Sequence, residues 1–412
     1  MQNFERIGRI PALDGIRGLA ISLVLWWHVI SFTLGGLDSN HHPLLASILK
    51  FSRFAWSGVD LFFVLSGFLI GGILLDEVTS PSYFSTFYIR RAYRIVPLYL
   101  LVLSATLLTT AHSGIRRMGV LGYVTEFAYY LFFVQNIRMV ATGSFGDMGL
   151  DVTWSLAVEE QFYLTLPALV RFTPRRILWR VLVVAVLSAP VLRILVTHFL
   201  HGNTLAAYVL MPCRADALCM GVLIALAVRD RTTWETIVAR RKYLYMALAL
   251  VSFVGLWMLL GKFQPGSMQM LGLEYSLLAT IYSLLLLTTL IAPFFSKVFS
   301  FPPLRFMGTI AYGLYLFHSL VALVFRVVFL RLYPGSSGVL RFLVLCLAMA
   351  ATVAIAAASW KFFEKPLVKR GHRYGYTPPL SSEHDPSARE FGACYSLPSE
   401  TVHAPAPIHL KE

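Results

Sequence analysis

The sequence predicts an all-α fold, a polytopic bundle of about ten transmembrane helices with both chain ends on the cytoplasmic side. Three observations carry that expectation. Hydrophobic residues make up 57% of the 412 positions, charged residues only 14%, and apolar runs of about span length recur through most of the chain. A soluble domain is nearer a quarter charged, and about 20 helical residues cross a hydrocarbon layer of about 30 Å. This composition excludes an ordinary cytosolic domain and a disordered chain. The net charge of +14 fits cytoplasmic loops facing anionic lipid and gives no reason to expect a nucleic-acid partner.

The spans follow in order. The first, 12–34, comes after Arg6 and Arg9 and contains Arg17 and His28. It is too long and too polar for a cleavable leader, whose apolar core is short and uncharged. The second, 54–76, carries Gly67 and Gly71 at the spacing of close helix packing. The third, 95–113, follows Arg90, Arg91 and Arg94. The remaining spans are 152–170, 177–199, 209–228, 243–260, 273–293, 308–330 and 339–363. An eleventh apolar stretch, 120–140, contains Glu126, Gln135, Asn136 and Arg138. Treating it as a crossing would put the clusters Arg171–Arg180 and Arg229–Lys242 opposite Arg90–Arg94. Treating it as a segment lying in or re-entering the outer side puts all three on one side, as the positive-inside rule favours. Residues 371–412, with six prolines and no apolar period, read as a disordered polar cytoplasmic tail after a membrane domain at 10–368.

Ionisable groups at span depth are costly unless paired or wet, so each is a functional candidate. Arg17 and His28 are eleven residues apart. At 100° per residue they share one helix face, about 16 Å apart along the axis. Asp60, Glu159, Glu160, Arg214 and Asp216 are expected at a depth similar to His28, near the outer ends of their spans. Only one of Glu159 and Glu160 can face a given site. Asp60 has a second reading as a structural ion-pair partner of Arg214, and His318 as a histidine satisfied by a backbone carbonyl. Cys213, Cys219, Cys346 and Cys394 form no CxxC pair, and neither a disulfide framework nor a metal site is indicated.

Seven strings appear in order: LDGIRGLAISLVLWWH, GVDLFFVLSGFLI, FYIRRAYRIVPLY, WSLAVEEQFY, RADALCMG, YGLYLFH and FFEKP. Through them the chain resembles the acyltransferase-3 family of membrane-bound O-acyltransferases. The resemblance implies transfer of an acyl group, most often acetyl, from acyl-CoA to a hydroxyl, often on a sugar, in the cell (inner) membrane. By it, Arg17 and His28 match the family's functional arginine and histidine, with His28 as general base or acyl carrier. Asp60, Glu159 or Glu160 would orient that histidine, while Arg214, Trp154 or Tyr315 would hold substrate or oxyanion. Arg17, Arg90, Arg91 and Arg94 suit the phosphates of the donor, because guanidinium forms bidentate bonds to them. Acyl-CoA is the only co-substrate implied, with no metal. The acceptor is a sugar, glycolipid or small molecule. Many relatives continue into an extracytoplasmic esterase-like domain, whose contribution is here expected to be absent or to come from another protein. The alternative is a proton-coupled transporter or flippase using the same buried carboxylates and histidine.

Overall fold

A backbone in hydrocarbon can satisfy its own N–H and C=O groups only by forming helices or closed barrels. The computed structural model describes residues 10–34, 53–146, 149–260, 268–333 and 338–377, and holds no strand among them. The first helices are α1 (Pro11–Leu34), α2 (Gly58–Asp76), α3 (Tyr83–Leu131), α4 (Gln135–Thr142) and α5 (Trp154–Phe172). Next come α6 (Arg175–Phe199), α7 (Thr204–Val209), α8 (Met211–Arg229), α9 (Arg231–Ala239) and α10 (Arg241–Leu260). The chain ends with α11 (Met268–Ile291), α12 (Pro293–Phe299), α13 (Pro302–Thr309), α14 (Ala311–Leu332), α15 (Gly338–Ser359) and α16 (Lys365–Gly371). A π-helical turn, Trp360–Glu364, joins the last two.

Among the described residues, seven helical stretches are long and apolar enough to cross a membrane. They are Phe54–Asp76, Tyr83–Leu131, Arg175–Phe199, Thr204–Arg229, Gly272–Ile291, Ala311–Phe329 and Leu340–Gly371. The other three expected spans are helices too, α1, α5 and α10, of 24, 19 and 20 residues. Glu159, Glu160 and Arg171 lower the hydropathy of α5. The protein is a multi-pass, all-α membrane protein.

Two helix pairs set the frame. α2 and α8 cross backbone to backbone, because Gly67 and Gly221 have no side chain to hold them apart. A Cβ on Gly67 would lie 1.9 Å from the Leu218 carbonyl oxygen, and one on Gly221 2.1 Å from that of Val64. α1 meets α13 in the same way, with Gly308 against the Asp14 carbonyl and Gly18 against that of Leu304. Neither backbone can retreat without moving a whole helix. Gly221→Val is therefore expected to cost at least about 3 kcal/mol, the upper end for overpacking. The check is the yield and melting temperature of monodisperse protein in detergent; a Tm within 2 °C of the unaltered chain would refute the crossing.

The expectation for 120–140 concerns a segment that folds back. Gly119 has φ 73, a left-handed conformation that glycine adopts without strain. Beyond it the helix returns along its own preceding turns. The Tyr123 hydroxyl donates to the Leu107 carbonyl at 2.8 Å, and the Tyr99 hydroxyl donates to that of Tyr130 at 2.8 Å. The polar residues are the ties of this hairpin. Arg138 pairs with Glu126 at 2.9 Å. Gln135 donates to the Thr153 carbonyl and Asn136 to that of Val209. A polar tail is expected from residue 371. Residues 372–377 lie against the start of α3, and 378–412 lie outside the described residues.

Candidate functional site

Two cavities lie along one face of α1. The first, of about 310 Å³, is lined by Arg17 of α1, Arg91 and Arg94 of α3, Glu159 and Tyr163 of α5, and Glu364 of the π-turn. The second, of about 150 Å³, is lined by Trp27 and His28 of α1, with Trp56, Asp151, Trp154 and Tyr208. Tyr315 of α14 lines both. Its hydroxyl bonds to the Ser155 hydroxyl at 2.7 Å and donates to the Val152 carbonyl, so its ring stands between the two spaces. The eleven-residue spacing of Arg17 and His28 thus puts one at each cavity.

In the first cavity the cations are placed by helix periodicity. Arg91 and Arg94, three residues apart on α3, occupy neighbouring positions on one face. Arg94 keeps an exposed surface that the cavity supplies. Arg17 donates to Asp14 at 2.8 Å, one turn earlier. The fourth arginine expected here does not line the space: Arg90 donates to the Tyr374 carbonyl at 2.8 Å and its guanidinium lies 4.9 Å from the Tyr376 ring centroid. The π-turn makes Glu364 a cavity residue, since the extra residue per turn rotates Trp360 and Glu364 inward. The Ser359 hydroxyl donates to Glu364 at 2.9 Å. Glu364 drew no expectation of its own, although it sits within the FFEKP string.

In the second cavity His28 Nδ1 lies 2.8 Å from the Val24 carbonyl oxygen. A carbonyl only accepts, so in the neutral ring Nδ1 carries the proton and Nε2 is the basic nitrogen. His318 packs edge to face on it, with ring centroids 4.6 Å apart. The Nδ1 of His318 donates in turn to the Leu314 and Tyr315 carbonyls, at 3.1 and 2.7 Å. The carboxylate that shares the cavity with His28 is Asp151, which accepts from the Ser319 hydroxyl at 2.9 Å. Asp151 precedes its span in a short 3-10 turn, Asp151–Thr153, where no apolar period marks a residue as inward-facing.

The expected single layer of acids around His28 therefore divides. Asp60 pairs with Arg214 at 2.5 Å, both 1% exposed, and the Arg214 guanidinium lies 4.1 Å from the Tyr275 ring centroid. Asp216 pairs instead with Arg193 at 3.0 Å. Arg193 also donates to the carbonyls of Cys213 and Gly272 and to the Ser276 hydroxyl. Glu159 faces the arginines of the first cavity, while one Glu160 oxygen is buried without a hydrogen-bond partner among the described residues. The reason is rotational: similar depth on different helices does not imply a common facing. Trp154 does join His28, its ring 4.5 Å from that of Tyr208. Arg214 reaches this site through aromatic rings, among them Tyr208, 5.6 Å from its guanidinium.

Comparison with known proteins bears on this geometry. A family model described as an acyltransferase domain matches residues 10–361. Over 384 residues the chain is 29% identical to the peptidoglycan O-acetyltransferase OatA of Listeria monocytogenes, covering 88% of this chain and 56% of that protein. Over 398 residues it is 26% identical to the O-acetyltransferase OatA of Staphylococcus aureus, covering 91% and 60%. The chain thus spans about three fifths of the length of these relatives. No solved structure matches it.

Proposed function

This chain belongs to the acyltransferase-domain family, and we propose that it is a membrane O-acetyltransferase moving an acetyl group from acetyl-CoA to a hydroxyl of a cell-wall glycan or related carbohydrate. The observation that carries the reading is the pair of cavities on either side of Tyr315, one cationic and one holding an oriented imidazole. The first cavity takes the donor. Arg17, Arg91 and Arg94 bind its phosphates, and its thioester arm points along α1 toward Tyr315. The second cavity takes the acceptor hydroxyl beside His28.

His28 Nε2 removes the proton of the hydroxyl as its oxygen attacks the thioester carbon. The new C–O bond forms, the C–S bond breaks, and the leaving thiolate takes the proton back from the imidazolium. Asp151 offsets the positive charge on the ring, as the third member of a triad does. Tyr315, whose hydroxyl donates to the Val152 carbonyl, forms the wall between the thioester and the acceptor. A direct transfer of this kind uses His28 as base rather than as acyl carrier.

The test is turnover by purified chain in detergent, where no second compartment exists. Acetyl-CoA should be consumed and acetyl recovered on added glycan fragments. Proton-coupled flux in vesicles without acetyl-CoA turnover in detergent would favour the transporter alternative. Arg94→Ala is expected to raise KM for acetyl-CoA roughly tenfold or more, since a hydrogen bond to a charged group contributes about 1.5–3 kcal/mol, with kcat within threefold. A fall in kcat alone would remove Arg94 from the donor site.

A further inference from the structure

The segment after α16 is held in place with more contacts than a simple chain exit needs. The Thr377 N–H donates to the Ser82 hydroxyl at 2.9 Å, and the Ser80 hydroxyl donates to the Thr377 carbonyl at 2.9 Å. The Thr86 hydroxyl donates to the Gly375 carbonyl at 3.2 Å, and Arg90 Nε donates to that of Tyr374 at 2.8 Å. The Tyr374 ring is stacked on Tyr93, with centroids 6.1 Å apart and 28° between planes, yet the residue is 46% exposed. One face is backed by a second ring while much of its surface is left open. Beside it, Tyr376 lies under the Arg90 guanidinium, and its hydroxyl is buried with no hydrogen-bond partner among the described residues. Arg373 and His372, both exposed, complete the rim.

This platform stands one helical turn from the donor cavity. Arg90 precedes Arg94 by four residues, about 6 Å along α3, and Arg94 and Val368 line the cavity wall. Burial, and then the charges of Arg90, Arg94 and Arg91, hold the His372 imidazole below its ordinary pKa, as expected beside a cluster of guanidinium groups. Flat rings backed by other rings and flanked by guanidinium groups are how proteins hold nucleobases and their phosphates.

We propose that residues 372–377, with Arg90, form the subsite for the nucleotide end of the donor: the purine stacks on Tyr374, and Arg90 and Arg373 take the phosphate on its ribose, leaving the diphosphate to Arg17, Arg91 and Arg94. The proposal rests on the acyl-CoA reading given under Proposed function and extends it. Arg90, which does not line the cavity with Arg91 and Arg94, then has its own part in donor binding.

The test compares two donors, acetyl-CoA and acetyl-pantetheine, which share the thioester arm and differ by the nucleotide. In full-length protein in detergent, Tyr374→Ala should raise KM for acetyl-CoA about tenfold or more, within the range that loss of base stacking produces. KM for acetyl-pantetheine should stay within twofold, and Tyr374→Trp should behave as the unaltered chain. A chain ending at Thr377 should match the full chain, and one ending at Gly371 should match Tyr374→Ala. Adenosine 3′,5′-bisphosphate should compete with acetyl-CoA in the unaltered chain and lose that competition in Tyr374→Ala. Equal effects on both donors, or none on either, would overturn the subsite while leaving the acyl-CoA reading intact. No turnover with either donor in the unaltered chain would overturn both.

Discussion

Replacing His28 by alanine is expected to lower kcat for acetyl transfer by about 10²–10⁴, the span of general acid–base contributions, while the protein still inserts and remains monodisperse. The ring's Nδ1 is committed to the Val24 carbonyl, four residues back on the same helix. That contact fixes the tautomer of the neutral ring. Nε2 is left as the nitrogen able to take a proton, in a cavity that also holds Asp151. Alanine removes the base and leaves the cavity walls, so binding of acetyl-CoA in the other cavity should persist. His28→Gln should be no better, because an amide presents a hydrogen bond but cannot carry the proton. Turnover within tenfold of the unaltered chain, in either variant, would end the mechanism.

Breaking the Asp60–Arg214 pair should have the second large effect, on folding rather than chemistry. Removing one member of a buried pair strands the other charge and costs about 3–5 kcal/mol, so Arg214→Ala or Asp60→Ala alone should leave little folded protein. Removing both should be nearly neutral. Asp60 Oδ2 and the Nε and Nη1 atoms of Arg214 already lack hydrogen-bond partners among the described residues, so the pair recovers only part of its desolvation cost. Asp60→Leu combined with Arg214→Met, close in volume, is expected to restore Tm to within a few degrees and retain acetyl transfer. A double variant that folds normally yet has lost transfer would return Asp60 to the catalytic apparatus.

These two cases also mark how far the sequence could be read. Eleven residues at 100° each put Arg17 and His28 on one face before any tertiary information enters, and Gly67 and Gly71 announced a close crossing. The polar content of 120–140 already argued against a simple span, and Glu126 and Arg138 do tie the hairpin together. The facing of residues on separate helices could not be read this way, because it depends on which helices become neighbours. Depth alone grouped His28 with Asp60, Glu159 and Glu160, whereas rotation about each helix axis sent Asp60 to Arg214 and Glu159 to the arginines. Asp151 and Glu364 were hidden for a local reason: each lies in a turn that departs from α-helical periodicity, so no pattern of spacing points to it. Arg193 drew no expectation, yet it is fully buried and bonded to two other helices. Arg90 was grouped with its neighbours because the segment that draws it aside comes 284 residues later.

The position of Tyr315 has an electrical consequence. Water entering both cavities thins the insulating part of the protein to one aromatic ring and the groups bonded to it. The membrane voltage then falls across a few ångströms instead of the full hydrocarbon thickness, and each elementary charge moved through that layer is worth about 2.3 kcal/mol per 100 mV. In the proposed reaction, a neutral acyl group can pass such a barrier without doing electrical work.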